Sequence, residues 1–407
     1  MTITPITGGF SPPDITEEDI AEVASTLRSS WITTGPKTKE FERQIAAFCG
    51  TSKAVCLNSQ TACAEMTLRL LGVGEGDEVI VPAYTYTATA SVVAHVGAKI
   101  IMVDCQKDNL EMDYEKVAEV ISEKTKVIIP VDLGGVICDY DKVFQIVDSK
   151  KSLFKANNDI QKAFGRIIVM ADGAHSFGAI RNGKRSGSIA DFTNFSFHAV
   201  KNLTTAEGGA VTWKDIPGID NDYLYKQYQL LTLHGQSKDA LAKDKLGAWE
   251  YDIVAPYFKC NMTDVHAALG ISQLRRYNKL LARRHEIIKC YDEELKPLGF
   301  TSLKHTTDNS ESSGHLYITT LPEKYGIFRN DFIIRLAKLG IPANVHYKPL
   351  AMHSGYQKLG FNISDYPNAY AFFKNEVTLP LHTKLTDEQV ESVILAIKEI
   401  LGIGGNK

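Results

Sequence analysis

The chain has 407 residues, of which 44% are hydrophobic and 23% are charged, a composition that predicts a globular protein with a large core. The net charge of −3 provides no basic surface, so we expect no nucleic-acid partner. No apolar run approaches the roughly 20 residues that span a bilayer. The first residues also lack a basic start followed by an apolar block, so we expect neither membrane insertion nor a signal peptide.

The cysteines bear on the cellular compartment. Seven are present, and no two are spaced as C-x-x-C. Several lie in apolar runs, such as Cys105 at the end of KIIMVDC. An odd number of cysteines without metal-ligand spacing predicts reduced, buried thiols in a cytoplasmic protein.

The chain begins with a Pro- and Gly-rich arm over residues 1–11. Residues 14–30, DITEEDIAEVASTLRSS, place acidic residues ahead of apolar positions at helical spacing, and this pattern predicts a helix. Residues 35–50, GPKTKEFERQIAAFCG, predict a second helix that ends at Gly50.

Strand-like and helix-like runs then alternate up to about residue 245. The first five strand-like runs are continuous, β-branched and apolar, which is typical of strands covered by helices on both faces. Helical patterns such as ATASVVAHVG and MDYEKVAEVISEK separate several of them. This alternation predicts a mostly parallel sheet in an α/β domain over residues 12–245. The strand-like runs are KAVCL, DEVIVP, AKIIMVDC, KVIIPVDL, RIIVMAD, DFTNFSF and GAVTW.

The pattern changes after residue 245. Residues 262–299 form one long helical stretch, and GHLYITTL then predicts a strand. FRNDFIIRLAKLG and TDEQVESVILAIKEILG predict two further helices. These elements predict a small α+β domain over residues 246–407, in which the polar stretch KHTTDNSESSGH is a loop. A segment within residues 148–165 predicts an additional helix on the surface.

Ligands of open parallel sheets bind in the turns that follow the carboxyl ends of the strands. After AVCL, the small polar residues 58–62 lead into a helix and offer free N–H groups to an anion such as phosphate. The alternative is a plain N-cap formed by Ser59 or Thr61. After EVIVP, Tyr86 can lie flat against a planar ring, or it packs as an ordinary aromatic residue at a strand end.

Two further strand ends carry charged residues. Asp172 ends a buried strand, where a carboxylate needs a partner such as a pyridinium N–H. It can also cap a turn, or form a metal site with His175, although no third ligand is near in sequence. Lys201 follows DFTNFSF, and a lysine amine forms a Schiff base with an aldehyde once its pKa is lowered. An anion-binding turn, a tyrosine that can stack on a planar ring, a carboxylate and a lysine together predict a pyridoxal 5'-phosphate (PLP) site without a metal.

Blocks along nearly the whole chain resemble, in order, the nucleotide-sugar aminotransferases of the DegT/StrS type. The resemblance implies the aspartate-aminotransferase-like fold of PLP-dependent transferases, with a large, mostly parallel seven-stranded sheet domain and a small C-terminal α+β domain. It also implies a homodimer whose active sites are shared at the subunit interface. The blocks are WITTGPKTKEFE, GDEVIVPAYTYTATA, ADGAHSFGA, SFHAVKNLTTAEGGA, NMTDVHAALG, HLYI, VHYKPL and LPLHTKLTDEQV.

The resemblance also implies roles for residues that bind the cofactor. Lys201 would be the Schiff-base lysine and the proton carrier, Asp172 would pair with the pyridine nitrogen, and Tyr86 would stack on the ring. His175 would lie beside the ring near its phenolic oxygen. The phosphate would be held by Ser196, Thr61 and the amide of Gln60, with Lys259 reaching it from the partner subunit.

On the side of the sugar nucleotide, the resemblance implies contacts from four residues: Trp31, Thr33, His346 and Tyr347. Two positions depart from the family pattern. Gln60 stands where glycine is usual, so the backbone angles of that turn must suit a non-glycine residue. Lys259 stands where many members have an asparagine, and a lysine can contact phosphate as a point charge.

The implied reaction moves an amino group from L-glutamate to a 4-keto-6-deoxy nucleotide sugar. The motifs resemble those of members that act on carbon 4, often of UDP-linked N-acetylhexosamine derivatives of bacterial surface polysaccharides. The nucleotide itself leaves no readable pattern in the sequence, and carbon-3 chemistry and GDP- or dTDP-linked sugars stay open. A PLP enzyme of another reaction type, such as a lyase or aldolase, and a regulatory relative without turnover are further alternatives. A family branch that carries histidine in place of the lysine performs dehydration, and Lys201 argues against that branch.

Overall fold

The computed structural model describes residues 3–238 and 250–403. All seven predicted strands form one sheet in the order β1-β9-β8-β5-β4-β2-β3. The strands of the described chain are β1 Ala54–Leu57, β2 Glu78–Pro82, β3 Lys99–Val103, β4 Thr125–Ile128, β5 Ile168–Asp172, β6 Ile180–Arg181, β7 Lys184–Arg185, β8 Phe192–Ser196, β9 Gly209–Trp213, β10 Thr301–Ser302, β11 Ser310–Glu311, β12 Tyr317–Thr320 and β13 Glu376–Leu379.

The direction of the strands decides which turns meet. β3, β2, β4, β5 and β8 pair in parallel, which confirms the predicted mostly parallel sheet. β9 is antiparallel to both of its neighbours, so β1 again has the direction of β8. The turns that follow β1, β2, β4, β5 and β8 therefore lie along one edge of the sheet.

Helices cover this sheet and build the C-terminal part of the chain. None of the described helices is long and apolar enough to cross a lipid bilayer. They are α1 Glu17–Arg28, α2 Pro36–Cys49, α3 Gln60–Leu70, α4 Ala88–His95, α5 Tyr114–Val120, α6 Tyr140–Ser149, α7 Asp159–Phe164, α8 Asn221–Thr232, α9 Asp264–Arg275, α10 Tyr277–Leu295, α11 Arg329–Lys338, α12 Ser354–Lys358, α13 Pro367–Asn375 and α14 Asp387–Ile400.

The prediction of one long helix over residues 262–299 is wrong, because the chain leaves helical geometry at Arg276 (φ −108°, ψ 7°) and forms two helices. The guanidinium of Arg276 binds Asp14 at 3.1 Å and the buried Asp19 at 2.8 Å. Both carboxylates come from the first residues of the chain. A contact between such distant segments leaves no periodic signal in the local sequence.

The segment within residues 148–165 contains the short helix α7, as predicted. One side of this helix is held against the large sheet domain. The side chains of Asn158 and Gln161 both donate to the carbonyl of Leu71, at 2.8 and 2.7 Å, and Ile160 is buried.

The C-terminal elements form a second core. β10, β12 and β13 make a three-stranded antiparallel sheet. Side chains of α10, α11 and α14 pack on it, including Ile287, Phe332 and Val393. The predicted boundary between the domains at residues 245 and 246 lies outside the described residues.

The seven cysteines are free thiols. Cys260 and Cys290 are half-buried, and the other five are buried, as the composition predicts. Burial raises the pKa of the Cys49 thiol to about 12, so this side chain behaves as a small apolar group.

The polar stretch over residues 304–315 is mainly a loop, as predicted, but it is not an ordinary solvated one. Its residues Ser310–Glu311 pair with β6 as a short strand. Ser312, Ser313 and His315 are buried. The Ser313 hydroxyl donates to the carbonyl of His175, so this loop supports the edge where the predicted site residues lie.

Candidate active site

Most of the predicted cofactor residues line one cavity of about 320 Å³ at the edge where the strands end. It contains the turn after β1, the turn after β2, the end of β5 and the segment after β8. The predicted residues that it brings together are Gln60, Thr61, Tyr86, Asp172, His175, Ser196, Lys201 and Tyr347.

Lys201 lies between this cavity and a second one of about 370 Å³, and its side chain lines both. Its main-chain N–H donates to the carbonyl of His198, which closes a tight turn after β8. Burial lowers the pKa of the Lys201 amine to about 8, and the negative charge of Asp172 acts in the opposite direction. A substantial fraction of the amine is therefore neutral and nucleophilic near neutral pH.

Asp172 is the last residue of β5 and is 5% exposed. One carboxylate oxygen accepts from the Thr89 hydroxyl at 2.7 Å, and the other accepts from the Ala174 N–H at 3.1 Å. Burial raises the pKa of this carboxyl, while these hydrogen bonds and the charge of Lys201 lower it. The carboxylate is thus fixed in orientation and retains lone pairs for a cationic donor in the cavity.

The hydrogen bonds of His175 define its tautomer. Its Nδ1 lies 3.2 Å from the main-chain N–H of Gly134, and an N–H can only donate, so Nδ1 is the acceptor. Burial, with the nearby charge of Lys201, holds the pKa of His175 well below its usual value, so the ring is neutral. Its proton is therefore on Nε2, which lies 3.3 Å from the hydroxyl of Tyr347.

The turn after β1 forms the start of helix α3. Ser59 is the N-cap, and its hydroxyl accepts from the Ala62 N–H at 3.0 Å. The N–H groups of Gln60 and Thr61 precede the first intrahelical bonds and face the cavity as an anion-binding site. Gln60 is the first helical residue and has no positive φ, so a glycine is not required here.

Glycine is required on the neighbouring strand instead. A Cβ on Gly209 would lie 2.6 Å from the main-chain nitrogen of Gln60 and 2.7 Å from the carbonyl oxygen of Phe195. These are main-chain atoms that cannot move aside without shifting the strand. The close approach of β9 therefore fixes the position of the turn between β1 and α3.

Two residues line the cavity without strong constraints. The Tyr86 side chain is 59% exposed, and its ring lies 5.7 Å from that of Tyr347 at 45°. Ser196 ends β8 half-buried, with its hydroxyl 3.4 Å from the main-chain N–H of His198. Both side chains are free to adjust to a bound ligand.

The second cavity contains the predicted sugar-side residues His346 and Tyr347. The Phe10 ring of the N-terminal arm packs 5.6 Å from the His346 ring. The arm is anchored by main-chain hydrogen bonds from Thr4 to the Ser392 hydroxyl and from Ile6 to the Gly340 carbonyl. The arm thus closes one wall of this cavity.

Three predicted residues lie outside both cavities of this chain. Trp31 is half-buried, and its indole N–H donates to the Thr34 carbonyl at 3.4 Å. The exposed Thr33 accepts from the Asp264 N–H through its carbonyl at 3.2 Å. Lys259 is exposed and its amine binds the Asn261 carboxamide. A single chain does not bring these residues to Lys201.

Sequence reasoning missed several buried residues that support the site. The His315 ring lies 4.3 Å from the His175 ring, and its Nδ1 binds the Asn202 carboxamide at 2.9 Å. His315 begins HLYI, which predicted a strand and matched the family pattern but gave no role to the histidine itself. Thr89, Glu376 and Thr378 gave no signal, because each acts through a contact between distant parts of the chain.

The residues present fit pyridoxal phosphate. The carboxamide of Gln60 is buried beside the cavity and its interaction with the Asp172 carboxylate lowers the pKa of that carboxyl, although Nε2 makes no hydrogen bond of normal geometry in the described chain. The cavity also offers a buried carboxylate for a ring N–H, a lysine amine of lowered pKa for an aldehyde and a helix start for a phosphate. No three His, Cys, Asp or Glu side chains among residues 3–238 and 250–403 are placed to hold a metal ion.

Comparisons with known proteins agree with this geometry. A putative sugar aminotransferase of Streptococcus pneumoniae, Spr1654, has been solved in a PMP form that is 56% identical to this chain, with a TM-score of 0.94 over 97% of this chain and 99% of that one. Its PLP form is 54% identical, with a TM-score of 0.93 over 98% and 99% of the two chains. These matches confirm the predicted fold class and pyridoxal phosphate as the cofactor.

Two curated relatives match nearly the full length. The spore coat polysaccharide biosynthesis protein SpsC of Bacillus subtilis is 34% identical over 396 residues, 96% of each chain. The UDP-4-amino-4-deoxy-L-arabinose–oxoglutarate aminotransferase of Shewanella sediminis is 34% identical over 398 residues, 96% of this chain and 97% of that one. Residues 13–398 match the family model itself. The chain belongs to the DegT/DnrJ/EryC1/StrS aminotransferase family.

Proposed function

We propose that this chain transfers an amino group from L-glutamate to carbon 4 of a 4-keto-6-deoxy nucleotide sugar, a UDP-linked N-acetylhexosamine derivative, in the cytoplasm of a bacterium that makes a surface polysaccharide. The observation that carries the proposal is the placement of Lys201 and Asp172 on one cavity, with the pKa of the lysine lowered to about 8. The names of the Bacillus and Shewanella relatives support a polysaccharide pathway and a UDP-linked sugar.

The chemistry divides between the cofactor and the protein. Bound pyridoxal phosphate supplies an aldehyde that condenses with amines and a protonated pyridine ring that accepts an electron pair. Asp172, fixed by Thr89 and Ala174, would hold the ring N–H and keep it protonated. Lys201 would take a proton from the α-carbon of glutamate and return one during transfer to the sugar, since its amine is poised to act as both base and acid.

The remaining cavity residues would orient the cofactor. The N–H groups of Gln60 and Thr61, with the Ser196 hydroxyl, would hold the phosphate at the start of α3. His175 lines the cavity, and its Nε2–H, which lies near the Tyr347 hydroxyl, would donate to the phenolic oxygen of the cofactor ring. Tyr86 would cover the open face of the ring.

A second copy of the chain would complete the site. A segment beside Lys259 exposes Ile253, Val254, Tyr257 and Phe258, a group of apolar side chains that a partner surface would bury. In a dimer that uses this segment, Lys259 would reach the partner's phosphate, and Trp31 and Thr33 would line the partner's sugar side. The separation of these three residues from the cavity of their own chain supports this assignment.

The half-reaction with glutamate tests the role of Lys201. Purified protein is expected to show the yellow absorbance of lysine-bound pyridoxal phosphate, lose it on addition of L-glutamate, and release an equivalent of 2-oxoglutarate. K201A removes the amine and is expected to lose both the absorbance and more than about 10³-fold of the turnover, the size of effect seen when a catalytic base is removed. Wild-type protein whose spectrum is unchanged by glutamate would instead indicate a regulatory relative or an aldolase.

The pH dependence of cofactor attachment tests the electrostatics. The neutral amine of Lys201 attacks the aldehyde, so the rate at which apoprotein becomes yellow is expected to rise with pH through about 8. D172N removes the negative charge that raises the lysine pKa, so its midpoint is expected at a lower pH. D159N removes a carboxylate from an exposed position of α7, outside the cavity, and serves as the matched control. The rates are measured by stopped-flow absorbance. Equal pH midpoints in wild type and D172N would contradict the electrostatic pairing of Asp172 with Lys201.

The sugar substrate is identified with protein in its pyridoxamine phosphate form. A panel of 4-keto and 3-keto sugars linked to UDP, GDP or dTDP is added, and recovery of the yellow absorbance is followed. We expect the largest kcat/KM for the UDP-linked 4-keto-6-deoxy N-acetylhexosamine, with the product configuration read by NMR. A higher kcat/KM for a 3-keto, GDP- or dTDP-linked sugar would replace this assignment.

Mixed dimers test the shared site. K259A is expected to weaken pyridoxal phosphate binding roughly tenfold, because it removes one charged contact to the phosphate. Mixing inactive K201A subunits with K259A subunits would create one site with both native residues and restore tight binding to that site. K358A, at an exposed lysine of α12, is the control. Cofactor affinity of K259A that equals that of K358A would rule out the phosphate contact.

A further inference from the structure

A buried carboxylate outside the cofactor cavity is connected to the sugar-side histidine. Glu376 begins β13 opposite Thr320 and is 0% exposed. One of its oxygens accepts from the main-chain N–H of His346 at 3.1 Å. The other lies 2.5 Å from the hydroxyl of Thr378, two residues along the same strand.

Thr378 continues this connection to the imidazole. Its hydroxyl oxygen lies 3.0 Å from Nδ1 of His346. Two main-chain hydrogen bonds between Asn344 and Thr378, of 2.8 and 3.0 Å, hold the loop that carries His346 against β13. The chain Glu376–Thr378–His346 is therefore set by backbone pairing and is not a chance side-chain contact.

The other end of the imidazole faces the second cavity. His346 lines this cavity together with Lys201, and Nε2 has no hydrogen-bond partner among residues 3–238 and 250–403. A substrate that enters between Lys201 and the N-terminal arm meets this nitrogen. Whether Nε2 accepts or donates a hydrogen bond depends on which ring nitrogen of His346 carries the proton.

We propose that Glu376 is a positioning residue that, through Thr378, decides which ring nitrogen of His346 carries the proton, and thereby whether His346 accepts from or donates to a polar group of the sugar substrate. The role of the sugar rests on the proposed function, whereas the proton position can be tested on the chain alone.

Hydrogen-bond counting fixes the two states. A hydroxyl has one proton to donate, so the polarity of Thr378 follows that of Glu376. When Glu376 is ionised, the Thr378 hydroxyl donates to it and accepts from Nδ1–H of His346, which leaves Nε2 as an acceptor in the cavity. When Glu376 is protonated, it donates to Thr378, Thr378 donates to Nδ1, and the ring proton is on Nε2.

Several groups face Glu376 and His346. Arg329 of α11 donates from Nη1 to the main-chain carbonyl of Glu376 at 3.2 Å, and its charge favours the ionised carboxylate. Tyr84 and Tyr347 are neutral phenols whose pKa values are raised, chiefly by burial. Thr320, which lies opposite Glu376 on β12, carries no charge. On the cavity side, the charge of Lys201 acts on His346, and the imidazoles of His175 and His315, whose pKa values are lowered by burial, also face it.

The titration of these groups places the change between states in an accessible range. Burial raises the pKa of Glu376 to about 8, so it is protonated below that pH and ionised above it. Burial and Lys201 lower the pKa of His346 to about 4, so its ring stays neutral throughout. The ring proton is therefore expected on Nε2 below about pH 8 and on Nδ1 above it.

The experiment reads the tautomer directly. Protein labelled with ¹⁵N-histidine is followed by long-range ¹H–¹⁵N correlation spectra between pH 6.5 and 9.5, and H346N identifies the signal. In wild type and in T378S, which keeps the hydroxyl, the proton is expected to move from Nε2 to Nδ1 near pH 8. In E376Q the carboxamide oxygen is expected to accept from the main-chain N–H of His346, so its NH2 donates to Thr378 and the ring proton is expected on Nε2 at every pH. T378V breaks the link and is expected to lose the transition.

Kinetics provide a second readout. The change in the KM for the keto sugar near pH 8 is expected to be larger in wild type and T378S than in E376Q and T378V, in which only Lys201 titrates in this range. The rate of the glutamate half-reaction at each pH is expected to be the same in all four proteins. One unchanging tautomer in wild type, identical to that of E376Q, would overturn the inference. Failure of wild type in the glutamate half-reaction would overturn the proposed function alone, since the tautomer is measured without substrate.

Discussion

The pairing of Lys201 with Asp172 across a cavity is the interaction on which the rest of this site depends. Burial acts on both groups in opposite senses, lowering the pKa of the amine and raising that of the carboxyl. Each charge partly offsets the desolvation of the other, since Asp172 raises the pKa of Lys201 and Lys201 lowers that of Asp172. A protein gains such a pair only by holding both groups rigidly while leaving space between them.

The fold provides that rigidity through the direction of its strands. Because β1, β2, β4, β5 and β8 point the same way, the turns that follow them share one edge, and the residues of the cavity need no long loop to meet. Short polar contacts then fix two of the buried side chains. Thr89 holds the Asp172 carboxylate, and the Gly134 N–H fixes the tautomer of His175.

This architecture explains which features could be predicted from the sequence. All seven strands of the large sheet are local patterns, so the positions of Asp172 and Lys201 at strand ends are recognisable from strand periodicity, whereas the roles predicted for them rest on the whole set of strand-end residues and on the family resemblance. Arg276 is different, because its break in the helix depends on carboxylates near residue 14. His315 and Glu376 were missed for the same reason, since their partners Asn202 and His346 lie 113 and 30 residues away in the sequence.

The second cavity, which is the proposed sugar side, is formed differently from the cavity that contains Asp172. Its walls come from the N-terminal arm, the segment after β8 and the loop that carries His346, three parts of the chain that pack together only in the folded protein. The loop that carries His346 is held by the main-chain pair between Asn344 and Thr378, and the arm by the main-chain N–H groups of Thr4 and Ile6. None of these hydrogen bonds uses the side chain of Phe10, so that side chain can be exchanged without the loss of any of them. The large sheet has no such freedom, because a single Cβ on Gly209 would displace the turn between β1 and α3. Substrate choice can therefore change in this fold while the chemistry at Lys201 stays fixed.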